Sequence, residues 1–270
     1  MSITIAAVLG ALFMAQADNA VHIEPGKQLP QSVTVHVGDK AAEHDVTIRY
    51  LLFVPKDYKA DGQKWPLMLF LHGLGECSND DLNRAKIHGP AKIVDGRPDF
   101  PFVLITPQCP PPPGYDSTKP VARTSPELID LVRRAWKPEE LIQLIDHVIA
   151  KLNVDSDRAY VTGLSMGGYG TWRLAATYPD RFAAVVPICG GGNPEKMAKP
   201  LSKVPTWAFH GAKDTTVPVS ESQKMVDAVR REHGDVQLTV YPDVEHNSWA
   251  PTYDNQEVYD WLLAHRRKAK

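Results

Sequence analysis

The segment Gly163-Leu164-Ser165-Met166-Gly167 matches the pattern G-x-S-x-G, with Gly168 following. A free serine hydroxyl is a weak nucleophile, and it becomes a strong one when a base takes its proton within hydrogen-bonding reach. The pattern places such a serine on a sharp strand-to-helix turn, where small flanking residues relieve the crowding of a strained backbone. An apolar stretch with strand character, 158–165, runs into the segment, and a helical one, 167–179, runs out to Pro179. The competing reading is a glycine-rich turn that only packs, or one that holds a phosphate at the helix N-terminus. The residues further along the chain weigh against it.

In the chain order Ser, acid, His, the acid ends a later strand and the base lies in the loop after the last strand. Of the ten histidines, His246 in VEHNSW fits the base, because it follows the strand at 236–242 and precedes the last helix. His210 lies at a strand end just ahead of the acid loop, and His233 reads as a solvated residue at a helix end. Asp214 in FHGAKDTTVP fits the acid, whose carboxylate would fix the imidazole tautomer and stabilise the imidazolium formed during acylation. Asp243 and Glu245 share a loop with the base and read as solvated, while Asp180 reads as a turn residue after Pro179. Acyl transfer also needs donors for the oxyanion. The amide of Met166 is the expected first donor, and the amide of Leu74 in His72-Gly73-Leu74-Gly75-Glu76 the second, with Gly75 as the fallback. His72 and Glu76 are expected to order that loop by hydrogen bonding.

These residues need a scaffold that brings strand ends together. TIRYLLFVP (47–55) alternates its apolar positions as a strand near a sheet edge does, while WPLMLFLHG (65–73) and FVLITPQ (102–108) read as strands buried on both faces. Pro138, Glu139 and Glu140 open a helix whose apolar residues, Leu141 to Leu152, recur at helical spacing. Strands at 182–190, 205–211 and 236–242 alternate with helices at 220–232 and 255–266. That alternation predicts an α/β protein with a mostly parallel sheet, helices on both faces and chemistry at the carboxyl ends of the strands. A long connection from Pro107 to about Lys137 contains the biased stretch CPPPPGYDSTKP, and connections of that length are usually functional or mobile. Between the strands at 182–190 and 205–211 the sequence reads as a short loop, which predicts an open site without a large lid.

The 270 residues, 43% hydrophobic and 23% charged, suit one globular domain. A net charge of −2 with mixed signs carries no nucleic-acid footprint. The apolar run from Ile3 to Met14 followed by Ala15-Gln16-Ala17 predicts a signal peptide over 1–17, cleaved before Asp18. The run is shorter than the roughly 20 residues of a membrane-spanning helix, so no stable membrane anchor is expected and the location is secreted or periplasmic. Residues 18–46 then form an N-terminal extension with a first strand, and 47–270 the catalytic domain. Cys77, Cys109 and Cys189 make no metal-binding or disulfide framework. Cys77 and Cys109, both after strand ends, are the candidate pair for a bond, and three buried thiols fit equally well.

Taken together, FLHGLGE, TPQCP, YVTGLSMGGYGTW, YPDRFAAVVPICGGG, HGAKDTTVPV and EHNSWAPTYDNQEVYDWLL resemble a family of secreted bacterial carboxylesterase- and phospholipase-like hydrolases with the α/β-hydrolase fold. Members are often described as predicted peptidases, and the family is related to dienelactone hydrolases and to the catalytic domain of prolyl oligopeptidases. The resemblance spans Thr47 to Leu263 and implies a triad of Ser165, Asp214 and His246 with an oxyanion loop at 72–76. It implies no cofactor. The segment ahead of the core is too short for the propeller of prolyl oligopeptidases. A small-molecule or glycan-linked ester is therefore the expected substrate, ahead of short peptides or a non-catalytic binding role. Trp249, Trp136, Tyr115 and Arg123 are candidate substrate contacts, whereas Trp207 and Trp172 belong to the core.

Overall fold

Alternating and continuous apolar runs become strands where the chain can pair them, and eight do so here. In a computed structural model, which describes residues 20–38, 43–112, 115 and 126–267, the chain forms one eight-stranded sheet. The strands are β1 (Gln28–Val37), β2 (His44–Phe53), β3 (Trp65–Leu71), β4 (Val103–Pro107), β5 (Val154–Leu164), β6 (Ala184–Ile188), β7 (Thr206–Gly211) and β8 (Val236–Tyr241). Their order is β1-β2-β4-β3-β5-β6-β7-β8. β1 and β2 form an antiparallel hairpin joined antiparallel to β4, and every later pairing is parallel. The strand expected near the edge is therefore second from it. β1 takes the edge, with Val33, Val35 and Val37 buried and the residues between them exposed. The expected signal peptide, its expected cleavage point and Arg123 lie outside the described residues.

Eight helices flank the sheet among the described residues: α1 (Gly89–Ile93), α2 (Pro126–Arg134), α3 (Pro138–Lys151), α4 (Met166–Thr177), α5 (Pro194–Leu201), α6 (Ser220–Arg231), α7 (Trp249–Tyr253) and α8 (Gln256–Ala264). Successive strand side chains point to opposite faces. Leu67, Leu69 and Leu71 accordingly share one buried layer with Leu141, Leu144, Ile145 and Val148 of α3, Trp172 of α4 and Met225 of α6. On the other face Met68, Phe70 and Leu104 pack with Ala91 of α1, Tyr253 of α7 and Val258, Tyr259 and Leu262 of α8. Each fully buried Leu or Phe contributes roughly 1.5–3 kcal/mol relative to an exposed one.

The stretch at 190–204 is not the short loop expected. It contains α5, which Asn193 caps by accepting the Lys196 amide at 3.1 Å, with Pro194 in its first turn. A proline is tolerated there because the first-turn amide has no partner within the helix. Pro200 lies inside α5 near its end, which is why the sequence pattern reads as a breaker. α5 packs beside α4 and α6, so it is a crossover helix and no large lid.

Register gathers the strand ends. Leu71 pairs with Gly163, Leu164 with Ile188, and Ile188 with Phe209. The loops after β3, β5, β6 and β7 therefore leave the sheet side by side.

Candidate active site

Ser165 sits between β5 and α4 with φ 53 and ψ −115. Left-handed backbone is costly for a residue with a side chain, and it persists only where the surroundings enforce it. Here the Ser165 amide donates to the Ile188 carbonyl at 2.9 Å, and the Tyr169 amide donates to the Ser165 carbonyl at 3.0 Å. The flanking glycines are required by close approach. A Cβ on Gly167 would stand 1.9 Å from the Leu71 carbonyl oxygen, and one on Gly168 would stand 2.3 Å from that of Ile188. The turn is thus squeezed between the ends of β3 and β6.

Three of the residues singled out from the sequence meet at this turn. His246 Nε2 lies 3.0 Å from Ser165 Oγ, and His246 Nδ1 lies 2.7 Å from Asp214 Oδ2. A carboxylate only accepts, so Nδ1–H donates to Asp214 and Nε2 is left to accept the serine proton. The acid and base loops are fastened together: the Ala212 amide donates to the Tyr241 carbonyl at 2.9 Å, and the Lys213 amide to the Val244 carbonyl at 3.0 Å. Asp214 Oδ1 accepts the amides of Thr216 and Val217, each at 2.8 Å. Burial alone would push the Asp214 carboxyl up. Hydrogen bonds from His210 and His246, with the Val217 amide, instead hold it well below the usual carboxylate range. Asp243 and Glu245 are exposed, and Asp243 pairs with Lys213 at 2.7 Å.

Met166 opens α4, and Leu74 opens a 3-10 turn at Leu74–Glu76. Both therefore occupy first-turn positions, whose amides have no carbonyl partner within the helix. Glu76 is buried, its Oε2 accepts the Gly73 amide at 2.8 Å, and burial raises its carboxyl. His72 is fully buried beneath the loop. Its Nδ1–H donates to the Gly73 carbonyl at 2.7 Å, and its Nε2 accepts from the Cys109 amide at 3.1 Å and from Gln108 Nε2 at 3.2 Å. One acceptor and two donors leave it neutral, and burial lowers it to about 4.

The substrate-contact candidates separate. Trp249 is half-buried, with its ring 5.4 Å from that of His246 and 5.5 Å from that of His88, so it stands beside the base. Trp136 does not face the site. It is buried, its indole N–H donates to the His72 carbonyl at 3.3 Å, and its ring lies 4.9 Å from the His72 ring, so it supports the loop from below. Tyr115 is half-buried, with its amide donating to the Pro112 carbonyl at 2.9 Å. Trp172 is fully buried, and Trp207 packs on Phe209 and Trp261. The three cysteines are buried and free. The Cys77 thiol is pushed up by its contact with Cys109 and by burial. His233 is exposed at the end of α6, as expected. Sequence reasoning missed the supporting roles of Gln108, Cys189, which takes the Ser165 amide on its sulfur at 3.3 Å, and Ser222. None of them stands in a pattern that marks it.

Among the described residues no group of three or more His, Cys, Asp or Glu side chains converges as metal ligands do, and no helix is long and apolar enough to cross a membrane. The model of the dienelactone hydrolase family matches residues 121–262, just over half of the chain. A thermostable esterase of known structure is 33% identical, the match covering 87% of this chain and 63% of that one at a TM-score of 0.64. Poly(3-hydroxyalkanoate) depolymerase C of Paucimonas lemoignei is 38% identical over 86 residues, 32% of this chain and 20% of the relative. The bifunctional acetylxylan esterase/xylanase XynS20E of Neocallimastix patriciarum is 35% identical over 72 residues, 27% of this chain and 11% of the relative. The chain thus spans a fifth or less of the length of these two curated relatives.

Proposed function

This chain belongs to the dienelactone hydrolase family, and on that premise we propose that it is a serine esterase working through an acyl-enzyme. The observation that carries the reading is the hydrogen-bonded line from Ser165 Oγ to His246 Nε2, at 3.0 Å, and from His246 Nδ1 to Asp214 Oδ2, at 2.7 Å. Ser165 Oγ attacks the ester carbonyl while His246 takes its proton, and Asp214 stabilises the imidazolium that forms. The amides of Met166 and Leu74 receive the oxyanion. His246 then returns the proton to the leaving alcohol. Water, deprotonated by the same ring, releases the acid and frees the serine.

The substrate class proposed is a small or glycan-linked carboxylic ester. It is supported by relatives whose names describe an esterase, a poly(3-hydroxyalkanoate) depolymerase and an acetylxylan esterase. Trp249, beside the base, offers an aromatic face to such a substrate. Export to the periplasm or medium belongs to the same proposal and rests on the apolar run ending at Ala15-Gln16-Ala17.

Turnover of an aryl acetate by Ser165→Ala should fall by roughly 10⁴-fold or more, with the variant folded as judged by circular dichroism. Near wild-type turnover would overturn the assignment. In parallel, comparable kcat/KM on a peptide amide and its matched ester would replace the esterase reading with a peptidase.

A further inference from the structure

His210 lies at the end of β7, is fully buried, and has acceptors on both sides. Its Nε2 lies 2.8 Å from the Val217 carbonyl oxygen and 3.2 Å from Asp214 Oδ2. Neither oxygen has a proton to give, so Nε2 carries one. Its Nδ1 lies 2.8 Å from Ser222 Oγ, and that hydroxyl also lies 2.8 Å from the Gly190 carbonyl oxygen, which can take its only hydrogen. With its hydrogen on Gly190, Ser222 has only lone pairs for the ring, and Nδ1 must then be the donor. From this arrangement we infer that His210 is a doubly protonated imidazolium and a positioning residue for Asp214. The contrast with His72 is direct, since that ring has one acceptor on Nδ1 and donors on Nε2.

A buried cation is unfavourable unless paired and hydrogen-bonded, and His210 is both. Several ionisable groups of the surrounding elements are engaged elsewhere or held neutral. Glu221 of α6 pairs with Arg133 at 2.9 Å, Lys213 pairs with Asp243, and the Cys189 thiol is raised by burial. The carboxylate in contact with the His210 ring is Asp214, at 3.2 Å, and His246 lies across the same Oδ2 atom. His210 thereby ties the acid loop to α6 and to Gly190, whose backbone packs against Gly168 beside the nucleophile. Both rings share Asp214 Oδ2, so removing the His210 side chain should strengthen the hold of that carboxylate on His246 when it carries a proton.

This inference rests on the proposed triad for its effect on rate, but not for its effect on the ring itself. Two-bond ¹H–¹⁵N spectra of histidine-labelled protein at pH 7 read the ring directly, with the His210 signal identified by its loss in His210→Gln. Both ring nitrogens should appear protonated, in the wild type and equally in Ser165→Ala. In Ser222→Ala, which removes the acceptor for Nδ1–H, the second proton should be lost. An unprotonated His210 nitrogen in the wild type overturns the inference. In His210→Gln the acid limb of kcat/KM should move to higher pH by roughly one pH unit, with kcat lowered about 10-fold and KM within about 2-fold. A limb that stays in place while activity falls would reduce His210 to a packing residue. Failure of the nucleophile assignment would leave the spectra as described, so the two outcomes are separable.

Discussion

Two buried histidines stand on either side of the nucleophile, and they meet different partners. His72, neutral and lowered to about 4, resists protonation in the folded state, whereas the unfolded ring takes its proton near 6.5. The unfolded chain therefore binds more protons between those values, and stability is lost as pH falls from about 6.5 to about 4. The full effect is on the order of 3 kcal/mol. Guanidinium unfolding at pH 7 and pH 4.5 should show a shallower loss for His72→Asn than for the wild type, and equal losses would contradict it. Asp214, held below its ordinary value, loses its contribution only below that window. At this scale the sequence was informative where chemistry has a pattern. Ser165, Asp214 and His246 could be singled out because each follows a strand end in a set order. His210 stands four residues before Asp214 in FHGAKD, but only the return of the loop, with Val217 and Ser222 closing on it, shows what its ring does.

Elements divide by how strongly their pattern is written. β3, β4 and β6 are near-continuous apolar runs and were legible, as was α3 with its Pro138 start. α1 and α7 are five residues each, too short to show a helical period, and α5 carries Pro200. The turn that holds Ser165 makes the sharpest claim about elements. Adding one methyl to Gly167 places it 1.9 Å from the backbone of β3, where no side chain can swing away. Gly167→Ala should therefore lose about 1–3 kcal/mol or more of stability and most of its turnover. Gly96→Ala is the control, because its Cβ meets nothing closer than the Ile93 carbonyl oxygen at 3.9 Å. Its denaturation midpoint should stay near wild type. Indistinguishable midpoints for the two variants would show that the elbow is not packed as described.

Across the whole molecule, a parallel sheet aims four loops at one edge, and each supplies a different part of the proposed chemistry. The loop after β3 brings the Leu74 amide, that after β5 brings Ser165 and Met166, that after β7 brings Asp214, and that after β8 brings His246. This division of labour was readable because strands alternating with helices leave their carboxyl ends together. Substrate identity was not, since it depends on side chains whose exposure only folding decides, as Trp136 and Trp249 illustrate. The most direct test of the account is intact-mass spectrometry of the protein after exposure to an aryl fluorophosphonate, followed by peptide mapping. One adduct per chain should form on Ser165, be absent in Ser165→Ala and form far more slowly in His246→Gln. A folded, ester-cleaving protein with no adduct, or with its adduct on another residue, would contradict the account.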